Sequence, residues 1–105
     1  MTKQFLIVGR KMDVIEEIQQ RVQVPGATLY GATTLDEVRR YLAETQINHV
    51  IMGAGIDLDT RLDIVQTIFE ASDAITVHMK DRVGGAAGML PFVAALVPTL
   101  MKYEV

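Results

Sequence analysis

The chain has 105 residues, half of them apolar, which is enough for one packed core and too little for two. A formal net charge of −3 argues against a nucleic-acid-binding surface, though it leaves room for a local basic patch. The absence of cysteine removes disulfides, thiolate metal sites and cysteine nucleophiles, and it fits a reducing compartment.

Phe5-Leu6-Ile7-Val8 is a continuous apolar run closed by Gly9, the pattern of a strand covered on both faces of a parallel sheet. Asp13 stands three residues before Glu16 as a capping pair. Val14, Ile15, Ile18 and Val22 then follow at helical spacing up to Pro25-Gly26. A second strand is expected from Ala27 to Tyr30, closed by Gly31. Thr34-Leu35-Asp36-Glu37 is a capping box, and Leu35, Val38 and Leu42 form the apolar stripe of a second helix. The third strand is His49 to Met52, ending at Gly53-Ala54-Gly55, with His49 expected at the surface. Asp57 caps a third helix whose inward stripe reads Leu58, Leu62, Val65 and Phe69, widened by Ile64 and Ile68; Asp59 and Asp63 complement its dipole. Ala74 to Val77 is the fourth strand, followed by a polar, glycine-rich loop from Lys80 to Gly88. The last helix is expected from Met89 to Tyr103, with Pro91 in its first turn and Pro98 kinking it or ending it early. Two prolines interrupt that segment, and it reads as too short to span a bilayer. The N-terminal run is too short for a signal-peptide core. A cytoplasmic protein with no membrane partner is the expectation.

Four strand–helix units in succession predict a single α/β domain over residues 1–105. The expected architecture is a three-layer sandwich: a four-stranded parallel sheet of order 2-1-3-4 with helices on both faces, flavodoxin-like or Rossmann-like. In such a sheet ligands bind beyond the carboxyl ends of the strands where the order reverses, here between the first and third. Gly9, Arg10 and Lys11 lie on one side of that point, and Gly53 and Gly55 on the other. Thr33 follows the second strand. His78, Lys80 and Arg82 follow the fourth, with Gly84, Gly85 and Gly88 in the loop beyond. Exposed backbone amides and basic side chains together suit a phosphate, a carboxylate or a nucleotide; the alternative is an ordinary polar sheet edge. The loop lacks the Gly-Lys-Ser/Thr ending of a Walker motif. Gly53-Ala54-Gly55 has Leu58 where a dinucleotide fingerprint needs its third glycine. No cofactor is expected, and two separated histidines do not make a metal site. Catalysis by His78 would need Asp81 or Thr33 as its second group, and an enzyme is the less favoured reading.

Met89, Leu90, Phe92, Val93, Leu96, Val97, Leu100 and Met101 run around most of the last helix, more than the single stripe that covering a sheet requires. Together with an open fourth-strand edge, this predicts a homodimer through Phe92, Leu96, Leu100 and that edge. The alternative is a helix tucked against its neighbours beside a short edge. No helix carries a basic face, so nucleic acid is not an expected partner.

Three segments carry a family resemblance: Phe5-Leu6-Ile7-Val8, Tyr30-Gly31-Ala32-Thr33-Thr34 leading into Leu35-Asp36-Glu37-Val38, and Asn48-His49-Val50-Ile51-Met52. On them the chain resembles the receiver domain of bacterial response regulators, over most of its length up to Lys80. The resemblance implies a signalling role. In that family the chemistry is phosphorylation of an aspartate at the end of the third strand, with magnesium held by acidic residues after the first. Here Gly9-Arg10-Lys11 follow the first strand and the third ends at Gly53, so both carboxylate elements are missing. Lys80 is similar in position to the family's lysine. A relative of this kind lacks phosphotransfer. It would act as a non-catalytic regulatory or interaction module, or bind an anion directly through its basic residues.

Overall fold

The computed structural model describes residues 2–103. Strands β1 (Lys3–Val8), β2 (Ala27–Ala32), β3 (His49–Met52) and β4 (Thr76–Met79) alternate with helices α1 (Met12–Arg21), α2 (Leu35–Glu44), α3 (Leu58–Ala71) and α4 (Met89–Lys102). One turn of 3₁₀ helix, Gly85–Gly88, leads into α4. All neighbouring strands are parallel and their order is β2-β1-β3-β4, the flavodoxin-like arrangement that the strand–helix alternation predicts.

The continuous apolarity of the central strands has a direct cause, since each faces a helical layer on both sides. Leu6, Val8, Val50 and Met52 pack toward α2 and α3 with Val38, Ile64 and Ile68. Phe5, Ile7 and Ile51 pack toward α1 and α4 with Ile15, Ile18, Val93 and Val97. Each such fully buried side chain contributes roughly 1.5–3 kcal/mol. Local signals set the helix starts. Thr34 Oγ1 accepts from the Glu37 backbone N–H at 3.1 Å, and the Glu37 carboxylate accepts from the Thr33 N–H at 2.9 Å. Asp57 accepts from the Thr60 N–H at 3.1 Å. At the other end of the sheet, the Lys3 ammonium donates to the Leu100 carbonyl at 3.0 Å and to that of Tyr103, satisfying the last turn of α4.

Several local expectations are corrected. β2 does not stop at Gly31, because its ladder with β1 continues through Ile7–Gly31 and Val8–Ala32. β4 starts at Thr76 rather than Ala74, since pairing begins only opposite His49. α1 starts at Met12, so Asp13 lies in the first turn, and Lys11 occupies the N-cap position with no side-chain cap. His49 is buried, 4% exposed, beneath the α4 layer and 5.0 Å from the Phe5 ring. Pro98 sits inside α4 without ending it. The carbonyl it leaves unbonded belongs to Ala94, an exposed residue where water can replace the lost donor.

The largest correction concerns α3. Ile64 and Ile68 enter the core, whereas Leu58, Leu62 and Phe69 are 58%, 55% and 48% exposed. Two apolar stripes lie side by side on this helix, and only the roll of the helix on the sheet selects between them. The segment Gly85–Lys102, 18 residues long, has the length and apolarity to cross a membrane, more than the sequence reading allowed. In this fold Met89, Val93, Val97 and Leu100 pack on the sheet, and the rest of the segment is exposed or half-buried. Leu100 is thereby removed from the expected dimer surface, while Phe92 and Leu96 stay half-buried.

Candidate functional site

The loops leaving β1, β3 and β4 meet at the carboxyl rim of the sheet, at the point where strand order reverses. They enclose a cavity of about 200 Å³ between the N-terminal ends of α1 and α4. Arg10 and Lys11 come from the β1–α1 loop. Gly53, Ala54 and Gly55 come from the β3–α3 loop, and Lys80, Arg82, Gly85 and Ala86 from the β4–α4 loop. Ile7, Val14, Ile15, Ile18 and Met89 form an apolar floor. Gly9, Arg10, Lys11, Gly53, Gly55, Lys80, Arg82 and Gly85 are thus brought together as expected.

Four other residues do not line the cavity. Thr33 is committed to the α2 cap, its N–H and hydroxyl both donating to Glu37 at 2.9 Å. These bonds hold the Glu37 carboxyl below its ordinary value. His78 points into the α4 face of the sheet. Gly84, with φ at 83°, forms the turn behind the rim and needs glycine for that left-handed conformation. A Cβ on Gly88 would come within 2.9 Å of the Val83 carbonyl oxygen, so this glycine closes the loop on itself.

The basic side chains differ in state. The Lys80 ammonium is tied into its own loop, donating to the Asp81 carboxylate and to the Val83 carbonyl at 2.9 Å. The bond from Lys80, then the one from the Val83 N–H, hold the Asp81 carboxyl below its usual range. Lys80 therefore orders the loop, and its charge is already matched. Among the described residues, no carboxylate pairs with Arg10, Lys11 or Arg82, all of which are exposed. Their position is electrostatically unusual. Lys11 is the N-cap of α1, and the positive end of a helix dipole normally attracts acidic or hydroxyl residues. Asp13 in the first turn accepts from the Val14 N–H at 2.9 Å and offsets part of this charge, but two adjacent cations still leave that end net positive, a setting that favours a bound anion.

Sequence reasoning did not foresee a second polar cluster. The His49 Nδ1 lies 2.5 Å from Thr76 Oγ1, which lies 2.9 Å from His78 Nε2. His49 Nε2 is buried without a partner. A bare nitrogen there costs less than an unbonded N–H, which assigns the proton to Nδ1 and directs the chain of bonds from His49 through Thr76 to His78. Burial, then the nearby Lys3 and His78 charges, lower the His49 pKa to about 4; burial also lowers that of His78. The partner of His78 is Thr76, neither Asp81 nor Thr33, so the pairing that catalysis would require is not formed. The sequence signal was the shared face of the β3 and β4 histidines, readable only once the register was known. Among the described residues, no cluster of carboxylates and imidazoles is arranged to hold a metal ion.

Comparison with known protein families, with characterised proteins and with solved structures finds no match to this chain.

Proposed function

We propose that the chain is a cytoplasmic, receiver-like regulatory module without catalytic activity, whose carboxyl rim binds a small anionic ligand directly, without a metal. The observation that carries this reading is the pair Arg10 and Lys11 at the N-terminus of α1, where Lys11 makes no side-chain cap, beside a cavity that no carboxylate among the described residues lines. A group of negative charge against the α1 amides would satisfy both the helix end and the two cations. The floor of Ile7, Val14, Ile15, Ile18 and Met89 favours a ligand with an apolar body. The volume, about 200 Å³, lies below the roughly 300–1,000 Å³ of sites that enclose drug-sized molecules. It suits a ring-sized carboxylate or phosphate monoester, and a dinucleotide would be too large. The missing acidic residues after β1 and β3 leave neither a magnesium cage nor a nucleophile for phosphotransfer.

Calorimetric titration with a panel of small aromatic and aliphatic carboxylates and phosphate monoesters tests the reading. At least one should bind, raise the melting temperature and weaken with added salt. Arg10→Ala and Arg82→Ala should each lower its affinity about tenfold or more while leaving the fold intact. No binding at millimolar concentration, or affinity unchanged in the double variant, would overturn it.

A further inference from the structure

The sheet has two edges, β2 and β4, and β4 is the one beside which large apolar side chains stay exposed. It reads Thr-Val-His-Met, with no lysine, proline or bulge of the kind that normally guards an open edge. The Thr76 N–H bonds the Asn48 carbonyl at 3.2 Å and the Lys80 N–H bonds the Met52 carbonyl at 2.8 Å. Alternation along the strand then turns the N–H and C=O of Val77 and Met79 outward, away from β3.

Both helices that flank this edge present apolar side chains over it. A right-handed β3–α3–β4 crossover leaves α2 on one side of α3 and the open edge on the other. Turning 100° per residue from the core-facing Ile64 and Ile68, Thr60 and Thr67 fall toward α2, and Leu58, Leu62 and Phe69 fall over β4. On the opposite face, Met89, Val93 and Val97 contact the sheet and Leu90 and Met101 turn toward α1. Phe92 and Leu96 are left over the same edge. Met79, 43% exposed, continues the patch on the α3 side.

We propose that a second copy of this chain covers the edge. Its β4 pairs antiparallel with the first about a two-fold axis at His78, so that Val77 of each copy faces Met79 of the other and the two sheets become one. Three features favour a copy over an unrelated chain. The outward groups of Val77 and Met79 lie symmetrically about His78, so each satisfies the other's donors and acceptors under that rotation. Leu58, Leu62, Val65 and Phe69 follow the four-three-four spacing of a helix seam, which is complementary to itself in antiparallel packing. The area also suffices. Leu58, Leu62, Phe69 and Met79 each leave on the order of 100 Å² outside, about 800 Å² over two copies, and the edge backbone, Phe92 and Leu96 are needed to bring the total past the ~1,000 Å² a specific interface requires. Burial lowers the His78 pKa and so disfavours a charged ring at the axis.

Sedimentation equilibrium of the full chain, from low micromolar to several hundred micromolar, should give twice the monomer mass. Leu62→Lys and Met79→Lys replace exposed side chains and should leave the circular dichroism unchanged. Each should weaken association roughly 100-fold. Amide exchange at Val77 and Met79 should be slow in the dimer and fast in either variant. A chain that stays monomeric throughout the range overturns the proposal and leaves the edge to a strand from another protein. A dimer that survives both substitutions, or one whose Val77 and Met79 amides exchange freely, overturns it in favour of another surface. Binding at the carboxyl rim is measured separately and can fail or succeed independently.

Discussion

Gly31 illustrates how much a single residue's meaning depends on its neighbours. In the sequence it punctuates a short strand. In the fold it lies inside β2, and a Cβ there would come within 2.5 Å of Ile15 Cγ2. That methyl is attached next to the α1 backbone, so the helix itself must lift to make room. Gly31→Ala should therefore destabilise the protein by about 1–3 kcal/mol in chemical denaturation, with the slope unchanged. An unchanged midpoint would mean that α1 is free to shift. The glycine was visible, and its reason was not, because nothing in the linear chain states that α1 crosses β2 at that residue. The same holds for His49. Its place at the start of a strand suggested exposure, and only the α4 layer above it accounts for its burial.

At the scale of elements, the capping boxes and strand limits follow from local chemistry and were largely readable. Thr34–Glu37 and Asp57–Thr60 form as their residue types dictate. The instructive exception is α1, whose N-cap is a lysine. A helix optimised for stability alone would carry a hydroxyl or a carboxylate at that position. Lys11→Asp should accordingly stabilise the free protein by roughly 1 kcal/mol, read as a raised denaturation midpoint, while weakening any anion bound at the rim. A loss of stability in this variant would show that Lys11 serves packing rather than the cavity. The α3 stripe was misjudged for a related reason. Periodicity identifies apolar faces, but Leu58-Leu62-Val65-Phe69 and Ile64-Ile68 form two neighbouring faces about 110° apart on the wheel, and only the sheet beneath the helix decides which one is buried.

For the whole molecule, the buried imidazole links stability to pH. The folded His49 pKa, about 4, lies below its unfolded value of 6.5, so the fold favours the neutral ring. That contribution is fully present above pH 6.5 and is lost as pH falls toward 4. The loss amounts to roughly 3 kcal/mol as an upper figure. Denaturation midpoints should fall across this window in the wild type and stay flatter in His49→Gln. Glu37, Asp57 and Asp81, whose carboxyls are held low by hydrogen bonds, add their own losses only at more acidic pH, below their ordinary values. A wild-type midpoint constant from neutrality to pH 4 would contradict the burial of a neutral His49.

The sequence by itself determined the class of fold, the parallel order of the strands and the rim on which basic residues and glycines gather. Those properties follow from periodicity and turn chemistry, which act over a few residues, and from the handedness of crossovers, which acts within one strand–helix–strand unit. Tertiary structure alone decided which rim residues share a cavity, that His49 is buried and joined through Thr76 to His78, and which side of α3 meets solvent. Each of those depends on distances between segments far apart in the chain, fixed by how rigid helices roll and settle on a twisted sheet. The local side-chain pattern does not reveal that roll; it is set by close packing of side chains from different layers.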